Sequence, residues 1–124
     1  MRPDVELRLP ADSAYVAVLR ATTVSLAARL DFTIDDIEDL RIAVGEACAM
    51  VLPSAEPDSG LTNRFYLRPG ELTVTVTVVS DAPDLPDENG FAWQVLSALA
   101  TSTGVSAEGG EFTVSLTTTS SVDA

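Results

Sequence analysis

The stretch Glu71–Val79, ELTVTVTVV, constrains the fold of this chain more than any other. Side chains alternate across an extended strand, so Leu72, Val74, Val76 and Val78 share one face and Thr73, Thr75 and Thr77 the other. Such a strand has one face for a core and one for water. It therefore demands a sheet whose apolar side is covered by other elements. Three more segments carry the same period. VELRL (Val5 to Leu9) alternates apolar and charged residues and stops at Pro10. NRFYLR (Asn63 to Arg68) is joined to Glu71–Val79 through Pro69-Gly70 as a hairpin, and EFTVSLTT (Glu111 to Thr118) turns Phe112, Val114 and Leu116 inward.

Helical segments supply the cover. After Asp12 or Ser13, either of which can cap a helix, Val16, Leu19, Thr23, Leu26 and Leu30 recur at spacings of three and four and predict one amphipathic helix. A second helix starts at Thr33, with Asp36 in the position of a capping-box acid and Phe32 and Ile37 placed as a hydrophobic staple. Asp35, Asp36, Glu38 and Asp39 crowd its first turns, where the helix dipole favours negative charge, so they read as helix chemistry rather than a metal site. It ends near Leu52, at Pro53. FAWQVLSALA (Phe91 to Ala100) is a third, short helix. The order is β-α-α-β-β-α-β, an α+β two-layer sandwich with four strands and three helices. Residues 1–118 form one domain and 119–124 a frayed tail.

Composition narrows the function. The 124 residues suffice for one core, and 46% of them are hydrophobic. Seven basic against 19 acidic residues leave a net charge of -12, which repels phosphate backbones and argues against direct nucleic-acid binding. The acid would steer a basic protein partner, or simply keep the domain soluble. No apolar run is long enough to span a bilayer, and the charged N-terminus does not resemble a signal peptide. Cys48 is the one cysteine and histidine is absent, so intrachain disulfides, histidine bases and imidazole–metal sites are excluded. A cytoplasmic location is expected.

The chemistry-bearing candidate is Glu46, in DLRIAVGEACAMVL. Ile37, Leu40, Val44, Ala47 or Cys48, and Val51 make the core stripe of that helix, and Glu46 projects from roughly the opposite side between Ile42 and Met50. A carboxylate among apolar neighbours is the setting in which a general base is made. A glutamate on a solvated helix face has the same spacing, and spacing alone favours that plainer reading.

The segment DIEDLRIAVGEACAMVL resembles the N-box helix of the GHKL ATPase superfamily (Bergerat fold), specifically the anti-sigma factor serine kinases, whose motif is E-A-C/V-T-N. The element order is also similar to theirs. The resemblance implies the histidine-kinase-like sandwich with a mixed four-stranded sheet. It casts Glu46 as general base and Met50 at the position of the asparagine that holds magnesium against ATP. A thioether is a poor ligand for a hard cation. Asp81, in VVSDAPDLPD, falls where the family's adenine-reading aspartate stands, but Pro83 replaces the following glycine. Gly90 stands where a phosphate-cradling turn begins, with Ala92 at its second glycine, and Gly110 replaces a threonine before the last strand. A turn before a helix is the plainer reading of Gly90. The resemblance thus implies a degenerate site, with Mg-ATP binding weak or lost and Met50 filling the metal's place with apolar volume. As partners it implies a sigma factor, an anti-anti-sigma factor and a second copy of the chain, with Arg20 on the first helix contributing to partner contacts. An ordinary solvated helix arginine has the same spacing. Three functions stay open: a nucleotide-independent anti-sigma module or pseudokinase, an active Mg-ATP-dependent serine kinase of an anti-anti-sigma factor, and a dimerisation module.

Overall fold

A computed structural model of the chain describes residues 2–121. β1 (Val5–Pro10) leads through a short 3-10 turn at Ser13–Tyr15 into α1 (Val16–Arg29) and then α2 (Ile34–Val51). β2 (Gly60–Arg68) and β3 (Glu71–Val79) form the expected hairpin, followed by α3 (Phe91–Leu99), β4 (Ser102–Glu108) and β5 (Glu111–Thr119). The sheet order is β1-β2-β3-β5-β4. The two-layer α+β sandwich is as expected.

Two details of the expected sheet are corrected. It has five strands rather than four, and every pairing is antiparallel rather than mixed. The two differences share one cause. A return from α3 directly into the last strand would run parallel to β3; the extra strand β4 takes that direction, and β5 then turns back antiparallel to β3. β4 carries no alternation because it is an edge strand, with Val105 as its one large apolar residue and that residue 37% exposed. Its signal was the Gly109-Gly110 pair, with φ of 59° and 79°, which makes a two-residue turn closing Glu108 against Glu111.

The alternation of β3 is realised as read. Leu72, Val74, Val76 and Val78 are buried together with Phe65 of β2 and Phe112, Val114 and Leu116 of β5. On the far face, hydroxyl pairs bridge strands: Thr73 to Thr117 at 2.8 Å and Thr77 to Thr113 at 2.7 Å. α2 packs on β3 and β5 and against both α1 and α3, so it is the central helix of the covering layer. Leu40, Val44, Ala47, Cys48 and Val51 are fully buried, as the stripe required.

The start of α2 is fixed by its capping box. The Thr33 hydroxyl accepts the Asp36 amide at 3.1 Å, and Asp36 Oδ2 accepts the Thr33 amide at 3.3 Å. The same Oδ2 accepts the amide and the hydroxyl of Ser121, at 3.0 and 2.9 Å. Order therefore runs past residue 118, where the tail was expected to begin: β5 reaches Thr119 and Ser121 is tied to α2. Residues 122–124 lie outside the described part. Burial pushes the Asp36 carboxyl up, and the hydrogen bonds from Ser121 and Thr33 outweigh it, holding the group below its ordinary range.

Candidate functional site: an apolar cup and an arginine seat

α2 ends at Val51 and its chain continues through Pro53 beneath the loop that joins β3 to α3. Three hydrogen bonds pin that loop. The Asp81 amide donates to Glu56 Oε1 at 3.3 Å, the Asp84 amide to Ser54 Oγ at 2.9 Å, and Gln94 Nε2 to the Glu88 carbonyl at 2.9 Å. Between the loop, the end of α2 and the start of α3 lies a cavity of about 470 Å3. Met50 and Pro53 line it from the end of α2, Leu85 and Pro86 from the loop, and Phe91 and Trp93 from α3; Asp84 and Asp87 are its charged residues. Met50 and Gly90 are thus brought to one site. Asp81 and Glu46 do not line it: Asp81 is exposed and Glu46 is half-buried one helical turn before Met50.

Gly90 caps α3 in an extended conformation, φ -78°, which any residue can adopt. What favours glycine is crowding, since a Cβ there would stand 3.0 Å from the Asp87 carbonyl oxygen. The Asp87 carbonyl accepts the Gly90 amide at 2.8 Å and its carboxylate accepts the Asn89 amide at 2.9 Å. The chain's own carboxylate therefore stands by the start of α3.

The residues present do not suit a magnesium nucleotide. A triphosphate needs cations or free amides, yet none of the seven basic residues lines the cavity, and two aspartates do. Magnesium needs several oxygens in near-octahedral array, and Met50 offers a thioether. Among the described residues no group of three or more Cys, Asp or Glu could hold a metal ion.

A second site lies where α1 crosses α2. The Arg20 guanidinium rests on Gly45: a Cβ at Gly45 would lie 2.5 Å from Arg20 Nη2 and 3.0 Å from Nε. Arg20 is half-buried and, among the described residues, makes no salt bridge or hydrogen bond. On a chain with 19 acids, an unpaired arginine held in a seat is a charge left available. Beneath it Cys48 is buried, which pushes its thiol up to about 12 against the opposing pull of the Arg20 charge. The family resemblance pointed to Arg20 but not to Gly45; a glycine in the middle of an apolar helix was the available signal, since it costs helix stability without an evident return.

Residues 9–117 match the histidine kinase-like ATPase domain. The chain belongs to that family. Within it, the chain is similar to proteins named for both halves of the resemblance. It is 34% identical over 96 residues to the anti-sigma-F factor RsbW of Mycobacterium tuberculosis, covering 77% of this chain and 57% of that protein. It is 40% identical over 74 residues to the serine-protein kinase RsbW of Halalkalibacterium halodurans, covering 59% of this chain and 46% of that protein. The chain spans about half the length of these relatives. The crystal structure of the RsbU and RsbW domains of Rv1364c from M. tuberculosis superposes with a TM-score of 0.70 at 16% identity, over 94% of this chain and 31% of that one. That likeness concerns the fold. Among the described residues, no helix of this histidine kinase-like domain is long and apolar enough to cross a membrane.

Proposed function

We propose that this domain is an anti-sigma regulatory factor, one that holds a sigma factor in a partner-switching circuit with an anti-anti-sigma protein and does so with weak or no ATP binding. The observation that carries the reading is the lining of the cavity: apolar side chains and two aspartates around Met50 and Gly90, the positions to which the family resemblance assigns the metal and the phosphates. The names of the relatives supply the regulatory context. Arg20, seated on Gly45 and unpaired among the described residues, supplies a charge suited to bidentate capture of a partner carboxylate. Glu46, half-buried and outside the lining of the cavity, is not needed for this reading. A homodimer and a cytoplasmic location fit this role.

Calorimetric titration with ATP and ADP, with and without magnesium, tests the reading. No heat up to millimolar nucleotide, together with capture of a sigma factor that Arg20→Glu abolishes, is the expected result. Magnesium-dependent micromolar binding would restore the serine kinase reading, with Glu46→Ala then abolishing phosphate transfer to an anti-anti-sigma protein.

A further inference from the structure

The cup has features that a degenerate nucleotide site does not need. Phe91 is 86% exposed and Leu85 56%, and both belong to the lining of the cavity, with Met50, Pro53 and the nearly buried Trp93. An evolutionary remnant that merely closed would turn such side chains inward or replace them. Large apolar side chains held at the mouth of an apolar depression mark a place where something apolar is received. Phe91 and Leu85 carry apolar surface beyond what the cavity encloses, and an extended or helical segment of polypeptide covers that surface as well as the cavity.

The charge of the rim selects among polypeptides. Asp84 and Asp87 line the cup, Asp81 and Glu88 flank them along the same loop, and no arginine lines it. With lysine absent from the whole chain and no arginine in the lining, the cup itself offers these acids no cation. An acidic segment would meet like charge; a neutral one would leave the acids unused.

We infer that this cup docks a segment of a partner protein that presents a large apolar side chain flanked by lysine or arginine. The apolar side chain lies against Met50, Phe91 and Trp93, and its basic neighbours face Asp84 and Asp87. The inference shares the lining of this cavity with the proposed function but not the capture of a sigma factor, which that reading assigns to Arg20 at the α1–α2 crossing.

Trp93 is the only tryptophan and lines the cup, so its emission reports occupancy directly. The test titrates the whole chain with a short amidated peptide carrying a Leu-Phe pair between lysines, and with its counterpart carrying glutamates in their place. The lysine peptide is expected to change Trp93 emission saturably, and the glutamate peptide to leave it unaltered. Phe91→Glu, which alters an already exposed position and leaves the core intact, is expected to weaken lysine-peptide binding at least about tenfold. Asp84→Asn is expected to weaken it several-fold, and Arg20→Glu, which only deepens the general acidic field, not to weaken it. Equal binding of the lysine peptide to wild type and Phe91→Glu would show attraction to the acidic surface alone and overturn the assignment. Equal binding of both peptides, or of neither, would overturn it too. Loss of binding in Arg20→Glu would move the site to the other surface. None of these outcomes bears on whether Arg20 captures a sigma factor, so the two readings fail separately.

Discussion

Gly45→Ala separates a glycine kept for the fold from one kept for function. In the middle of a helix glycine is less favourable than alanine by about 1 kcal/mol, so the substitution should stabilise α2 by that amount if nothing opposed it. The new Cβ would stand 2.5 Å from Arg20 Nη2 and 3.1 Å from Cζ, closer than real contacts allow. The atom that must give way is the far end of a long side chain, and among the described residues it has no ion pair to break. Arg20 should therefore leave its seat at a cost of a few tenths of a kcal/mol in lost packing of its stem. The net expectation is a variant as stable as wild type or up to about 1 kcal/mol more stable, with Tm unchanged or raised by as much as about 5 °C.

Partner capture should move the other way. A hydrogen bond to a charged group contributes about 1.5–3 kcal/mol, so displacing the guanidinium should weaken sigma-factor binding by roughly tenfold to a hundredfold. Thermal unfolding followed by circular dichroism, and calorimetry with the partner, read the two halves. A Tm several degrees below wild type would mean that the Arg20–Gly45 contact holds the helices together, and the reasoning would fall. Raised stability with undiminished capture would refute the docking role of the seat while leaving its geometry intact.

Other expectations follow from the same structure. Burial raises the Cys48 thiol to about 12, so iodoacetamide should leave it unmodified in the native protein at pH 8 and label it in denaturant; rapid native labelling would contradict the packing. Because that thiol titrates higher folded than unfolded, its contribution to stability is complete below about pH 8.5 and should fade as pH rises toward 12, visible as a falling denaturant midpoint that Cys48→Ala lacks. Asp36 has the opposite sign: held below 3.8, it stabilises above that pH and the contribution is lost as pH falls through its folded value, so Asp36→Asn should flatten the acid limb of the unfolding curve. Phe112→Ala should cost about 3–5 kcal/mol in urea unfolding, a fully buried ring being removed from the inner face of β5. Asp31→Gly should gain a few tenths to about 1 kcal/mol, since Asp31 follows α1 at φ 60°, a conformation that glycine adopts without strain; a loss would point to an unseen role for its carboxylate.

The fold was legible wherever one face of an element meets water and the other meets the core. β3 announced itself through four apolar residues alternating with three threonines, and α2 through Thr33, Asp36 and a stripe ending at Val51. β4 was not legible, because an edge strand over a hairpin needs no apolar alternation and only Gly109-Gly110 betrayed it. Missing it changed the expected direction of β5, and with it the class of the sheet. The C-terminal serines read as tail because polar residues carry no burial signal, although Ser121 completes the cap of α2 from across the molecule. At the site, Met50 and Gly90 were companions through the family resemblance, and periodicity did not link them. Phe91, Leu85 and Trp93 passed as parts of a short apolar helix and its loop, since nothing in a linear spacing tells which apolar residue faces a cavity and which faces the core.

The two sites have one physical element in common. α2 carries Gly45, which seats Arg20, and within five residues Ala49 and Met50, which form part of the cup. It is also the helix whose stripe is buried against β3 and β5 and whose first turn is tied through Asp36 to Ser121, just past the end of β5. A helix fixed at its start and along its core face cannot tilt without disturbing the sheet, because close-packed interiors deform in steps rather than smoothly. Occupancy of the cup would therefore reach Arg20 less through motion of α2 than through charge. A basic segment held by Asp84 and Asp87 cancels part of the acidic field that the rest of the chain presents to a second partner. Two partners of like charge would then compete for one field without touching each other, a coupling that weakens as salt shortens the Debye length from about 10 Å at 0.1 M to about 3 Å at 1 M.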